Sequence, residues 1–241
     1  MALKFLLFTF IIYFFLFSGY ITRRIRKKLE SVSDVIIKYN IIINSSAIMI
    51  ITFWVLDLRN LKSILFLPFS AILISLNALF FGRIISGIFG HNKYQRGAFL
   101  SCCMFSNIGI TLGSFLCFVF LGEPGLSYAL MYVAHFYPFF FTFGFYLARH
   151  YNDSYDSSWI GNFKDYLTNP VRYIPTIAII IGLTLNIMNI ERPAVLKILN
   201  TALLVISIIL FSFCIGLTLR FKKSLQLYQR NRGYLLNKIC Y

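Results

Sequence analysis

Seven apolar runs, each long enough to cross a bilayer, constrain this chain more than any other feature. A crossing takes about 17–25 predominantly apolar residues. The segments 4–20, 36–56, 63–82, 97–121, 126–148, 173–190 and 198–219 all meet that length. A soluble helix carries one apolar stripe at helical spacing, whereas these runs are apolar all round. The chain is 59% hydrophobic and 13% charged, where a soluble domain is about a quarter charged. The fold expected is therefore all-α and integral to a membrane, with the lipid bilayer as its solvent.

The formal charge of +15 could indicate nucleic acid, but its distribution argues for topology. Arg23, Arg24, Arg26, Lys27, Lys28 and Lys38 follow the first run; Arg83, Lys93 and Arg96 follow the third; Arg149, Lys164 and Arg172 follow the fifth. With the six basic residues of the tail from Arg220 onward, eighteen of the 23 lysines and arginines fall on one side of seven crossings. The positive-inside rule then places the amino terminus outside and the carboxyl tail in the cytoplasm, in a multi-pass protein of the plasma (inner) membrane. No nucleic-acid partner is expected. The basic cluster follows the first run instead of preceding it, which is the wrong polarity for a cleaved signal peptide.

Residues 149–173 form the longest polar connection. It holds the helix-breaking pair Asn169-Pro170, and it divides the chain into 1–168 and 169–241. Of the five cysteines, four lie inside runs and none has a metal-ligand spacing. No cofactor or metal is expected. Paired intramembrane carboxylates, His-x-x-x-His and nucleophile–histidine pairs are absent from the sequence, so an enzyme is not expected. Glu123 falls in a short connection with no evident partner.

The stretch "CCMFSNIGITLGSFLC" (102–117) departs from a uniformly apolar helix. Ser106, Asn107, Gly109, Thr111 and Gly113 gather hydroxyl, amide and flexible backbone within two turns. Hydrocarbon cannot satisfy freed backbone groups, so a weakened helix at mid-depth survives only against protein or a water-filled cavity. Close packing through the Gly109-Gly113 pair is one account. An interrupted helix facing a substrate is the other, and it is expected between about Asn107 and Ser114. Asn40 and Asn44, one turn apart on the second run, suit either interhelical packing or the binding cavity. His135 is the histidine lying well inside a run, an ionisable position that reads as a binding candidate; Pro138 would free the carbonyl of Ala134 for it.

The segment from Phe105 to Arg149 resembles the fourth and fifth helices of the auxin efflux carrier family, with Ser106, Asn107, Gly109, Gly113 and Gly125 in the family's places. The segment from Asn169 to Phe221 is similar to its sixth and seventh helices, with Asn169-Pro170, Gly182, Pro193 and "GLTL" from Gly216 in register. The resemblance implies an inverted repeat of five plus five helices. Helices one, two, six and seven would form a scaffold, and three to five would belong to a mobile domain whose broken fourth helix holds the substrate. It further implies secondary transport or efflux of a small organic anion. The implied site is Ser106, Asn107, Gly109 and Gly113, with Asn44 and His135 as further candidates. Two departures stand out. No proline lies between 107 and 122, and the sequence ends before an eighth to tenth helix. The chain then reads as the first seven of ten helices, with a site completed by a homodimer or by a partner supplying three more. The alternative expectation is a non-transporting, truncated membrane protein or interaction subunit.

Overall fold

The computed structural model describes residues 2–26, 29–59, 61–105, 112–151 and 159–220. These are helical almost throughout and contain no strand. In chain order the helices are α1 (Ala2–Ile25), α2 (Glu30–Tyr39), α3 (Ser46–Phe53), α4 (Leu61–Ile88), α5 (Lys93–Met104), α6 (Gly113–Val133), α7 (Phe136–Phe139), α8 (Phe145–His150), α9 (Trp159–Thr168), α10 (Pro170–Ile187) and α11 (Val195–Thr218). π-helical turns at Asn40–Ser45 and Phe140–Gly144 join α2 to α3 and α7 to α8.

Among the described residues, six helical stretches are long and apolar enough to cross a membrane: Phe5–Ile25, Ser31–Phe53, Ile64–Ile88, Gly113–His150, Pro170–Ile187 and Val195–Thr218. The protein is thus a multi-pass membrane protein. The count differs from the seven expected because 97–121 is not one helix: α5 stops at Met104 and α6 starts at Gly113.

At 38 residues, Gly113–His150 would run about 57 Å if straight, nearly twice the hydrocarbon thickness of about 30 Å. Gly122 divides it. Its φ of 68° and ψ of −152° lie in a region essentially reserved for glycine, and the chain reverses there, bringing Gly125 against the Cys117 carbonyl. The short connection expected between the fourth and fifth runs is this reversal.

Two cores organise the bundle. The larger joins Ile48, Met49 and Phe53 of α3, Phe115, Leu126 and Leu130 of α6, Ala178 and Ile179 of α10, and Leu204 and Ile208 of α11. The smaller joins Leu79 of α4, Leu100 and Met104 of α5, and Leu147 of α8. Water drives no association between helices in lipid, so close backbone approach through small residues does much of the work. α1 and α11 meet in this way. A Cβ at Gly19 would overlap the Phe213 carbonyl oxygen, and one at Gly216 would overlap that of Leu16. Arg23 donates across the same seam to the Leu219 carbonyl at the end of α11. On the other side α10 packs on α3, where Gly182 lies against the Ile50 carbonyl and Phe53.

Candidate functional site

The interrupted helix begins with a capping box. Asn92 accepts from the Gln95 amide at 2.9 Å, and the Gln95 side chain accepts from the Asn92 amide at 3.1 Å, which satisfies two donors that a helix start otherwise leaves free. The helix ends at Met104. Phe105 is extended (φ −115°, ψ 98°), and its ring sits among those of Phe136, Phe139 and Phe140, with centroids 5.8, 6.2 and 4.6 Å away. Helical structure resumes at Gly113, after Leu112 at φ −134° and ψ −65°.

Phe105 and Leu112 are thus both non-helical. Gly113, expected within the break, is instead the first residue of α6, and Ser114 is likewise helical. Ser106, Asn107, Gly109 and Thr111 lie outside the described residues. The 12 residues of α5 and the arm from Gly113 to Leu121 measure about 18 and 14 Å at 1.5 Å per residue, together about one bilayer core. By helix geometry the first turn of α6 points its backbone N–H groups toward the break, where they carry partial positive charge. Ser114 is fully buried, and its hydroxyl finds no hydrogen-bond partner among the described residues. Ser114 was expected as the far edge of the interruption, not as a binding residue.

The other two candidates, Asn44 and His135, have protein partners. Asn44 donates to the Asn40 side-chain oxygen at 2.9 Å. Asn40 is buried, accepts from the Ser207 hydroxyl at 3.0 Å and donates to the Ser207 carbonyl at 3.3 Å. This polar seam ties the π-turn to α11, as Asn200 Nδ2 to Thr52 Oγ1 at 3.1 Å ties α11 to α3. His135 is buried, with Nδ1 2.8 Å from the Tyr132 carbonyl. The expected partner, Ala134, is replaced because the chain turns at Ala134 and His135, before α7.

Two ionic clusters were not expected. Glu123, next to the Gly122 reversal, receives both terminal nitrogens of Arg192 at 3.0 and 3.1 Å. Lys197 stands 4.0 Å from the same carboxylate, and Arg192 also reaches the Ile51 carbonyl at 3.4 Å. Glu123 and Arg192, with Asp57 and Tyr128, border a cleft of about 200 Å³. At the α8–α10 end, Arg149 donates to Asn162 Oδ1 at 2.6 Å and to Asp165 Oδ2 at 3.0 Å, and Arg172 lies 3.6 Å from the same oxygen. The Arg149 hydrogen bond, with the charges of both guanidiniums, holds the Asp165 carboxyl below its ordinary value. Among the described residues no cluster of His, Cys, Asp or Glu could hold a metal ion.

Comparison with protein-family models, with curated proteins and with solved structures finds no match.

Proposed function

We propose that this protein is permease-like, binding a small organic anion at the interruption between α5 and α6 in the course of secondary transport or efflux. The observation that carries the reading is the start of α6: a helix amino terminus facing the break, with the buried, unpartnered Ser114 hydroxyl one residue in. Donors of this kind suit a carboxylate, and half-helix ends near the midplane are how transporters meet anionic groups. Asn107 would add its side-chain amide.

Helix pairing supports an inverted repeat. If helix one corresponds to helix six and helix two to helix seven, the α1–α11 contact maps onto the contact of α10 with α3, and both contacts occur. The scaffold would then be α1–α3 with α10 and α11. The mobile body would be α4–α8, with α6 packed on the scaffold through the larger core and Glu123 latched to Arg192 of the scaffold.

The test is equilibrium binding of a labelled mono- and dicarboxylate panel to the protein in nanodiscs. At about 1.5–3 kcal/mol for a hydrogen bond to a charged ligand, Asn107→Ala and Ser114→Ala should each weaken binding by at least about tenfold while insertion is unchanged. Failure of every carboxylate to bind, or unaltered affinity in both variants, would overturn the reading in favour of a non-transporting membrane protein.

A further inference from the structure

The helix α9 wears its polarity inside out. Asn162 and Tyr166 are buried, and with Asp165 they spend their polar atoms inward: Asn162 and Asp165 on Arg149, and Tyr166 on the Thr176 hydroxyl at 2.8 Å. The adjoining side is apolar and open. Trp159, Ile160, Phe163 and Leu167 are 50%, 78%, 49% and 54% exposed, and at 3.6 residues per turn they fill one arc of about 100°. Exposed Lys164 borders that arc.

Two contacts fix the level of α9 relative to the spans. Thr176 lies six residues into α10, about 9 Å from its start. At the other end of α9 the Trp159 ring packs on Phe143 and Tyr146, 6.4 and 6.0 Å between centroids. Phe143 is seven residues before the end of α8 at His150, about 10 Å along the axis. The helix lies alongside the last two turns of the spans, not beyond them. A helix at that level meets the boundary between headgroups and acyl chains, where amphipathic helices bury their apolar faces by about 5–10 Å. Tryptophan prefers the same boundary, and lysine snorkels toward the headgroups. Behind α9, Arg149 and Arg172 stand over the rings of Phe145 and Phe141, which continues this layer of aromatic rings and cations.

We infer that α9 is an interfacial membrane helix whose Trp159–Ile160–Phe163–Leu167 face is embedded at the headgroup–acyl boundary of the surrounding bilayer. One lysine on the open face makes apolar burial the main attraction, so a zwitterionic bilayer is sufficient. The inference stands on α9 and its neighbours and does not depend on transport.

The chain has two tryptophans, so Trp54→Phe leaves Trp159 as the sole indole reporter. The full chain is reconstituted in phosphatidylcholine nanodiscs brominated either near the carbonyl end or near the methyl end of the acyl chains. Trp159 emission is expected to be blue-shifted, quenched more strongly by the shallow bromines than by the deep ones, and little affected by aqueous acrylamide. Phe163→Asp with Ile160→Asp should reverse that order of quenchers. If Trp54→Phe does not insert, the difference between the native chain and Trp159→Phe gives the same quantity. Strong acrylamide quenching without bromine quenching would overturn the inference, because the face would then be in water. A blue-shifted indole reached by neither quencher would also overturn it, because a protein surface would then cover the face.

Discussion

Arg192, between α10 and α11, closes both terminal nitrogens on the carboxylate of Glu123, 69 residues earlier and next to the Gly122 reversal. The side chains are 10% and 19% exposed, so each would be left largely unsolvated if its partner were removed, and the two losses are unequal. Truncating Glu123 strands the guanidinium with one long contact to the Ile51 carbonyl, whereas truncating Arg192 leaves Lys197 beside the carboxylate. Glu123→Ala should therefore destabilise the protein more than Arg192→Ala in detergent unfolding. The double-mutant cycle should give a coupling of about 1–3 kcal/mol. Equal losses, or additive ones, would show that the pair is not the latch.

The seam between α1 and α11 makes a sharper contrast. Gly216→Val sets a Cβ bearing two methyl groups against the Leu16 carbonyl, and overpacking of this kind costs about 1–3 kcal/mol or more. A Cβ at Gly87 in α4 meets nothing within 4 Å. Gly87→Ala should leave the unfolding midpoint unchanged or slightly raised, since alanine is the better helix former. A comparable loss in both variants would contradict the close seam.

Asp165 carries the pH dependence of the α9 attachment. Its carboxyl is depressed when folded, first by the Arg149 hydrogen bond and then by the two guanidinium charges. A depressed carboxyl contributes stability above its unfolded value, ordinarily 3.8, and that contribution disappears as pH falls through the lower folded value. Thermal unfolding of the native chain should therefore lose more stability between about pH 5 and pH 3 than that of Asp165→Asn. Parallel curves would remove Asp165 from the attachment.

Asn40 and Ser207 test how much a buried polar seam is worth in lipid. Interhelical hydrogen bonds in membranes contribute about 0.6–2 kcal/mol, and this pair makes two. Asn40→Ala should cost about 1–2 kcal/mol, with Ser207→Ala costing less because the backbone carbonyl remains. Asn44→Ala removes only a donor to Asn40 and should cost least. A loss at Asn44 equal to that at Asn40 would make the seam a three-residue unit.

That the chain is a set of apolar helices could be read from composition because lipid makes the rules local: a run of apolar residues spans. Asn169-Pro170 worked for the same reason: Asn169 accepts from the Val171 amide at 3.1 Å and Pro170 opens α10. What escaped the sequence was relational. Glu123 looked solitary because Arg192 is remote in the chain, and the partner of His135 depended on a turn that no propensity marks. The end of α5 escaped the sequence because Phe105, an ordinary apolar residue in isolation, is extended among rings that arrive some thirty residues later. The contact of Asn44 with Asn40 follows from their spacing of four, whereas Ser207, the partner of Asn40 on α11, is 167 residues away and leaves no local trace.

The pairing of α1 with α11 has a consequence for biosynthesis. Arg23 and its acceptor Leu219 are 196 residues apart. At a translation rate of about 5–20 residues per second, some 10–40 s separate their emergence from the ribosome. Throughout that interval the Gly19 surface of the first helix has no native neighbour and must be kept by lipid or by the insertion machinery from adopting another. The α1–α11 seam therefore cannot close until α11 has been made, and a ribosome stalled before Val195 would leave the Gly19 surface of α1 without its partner.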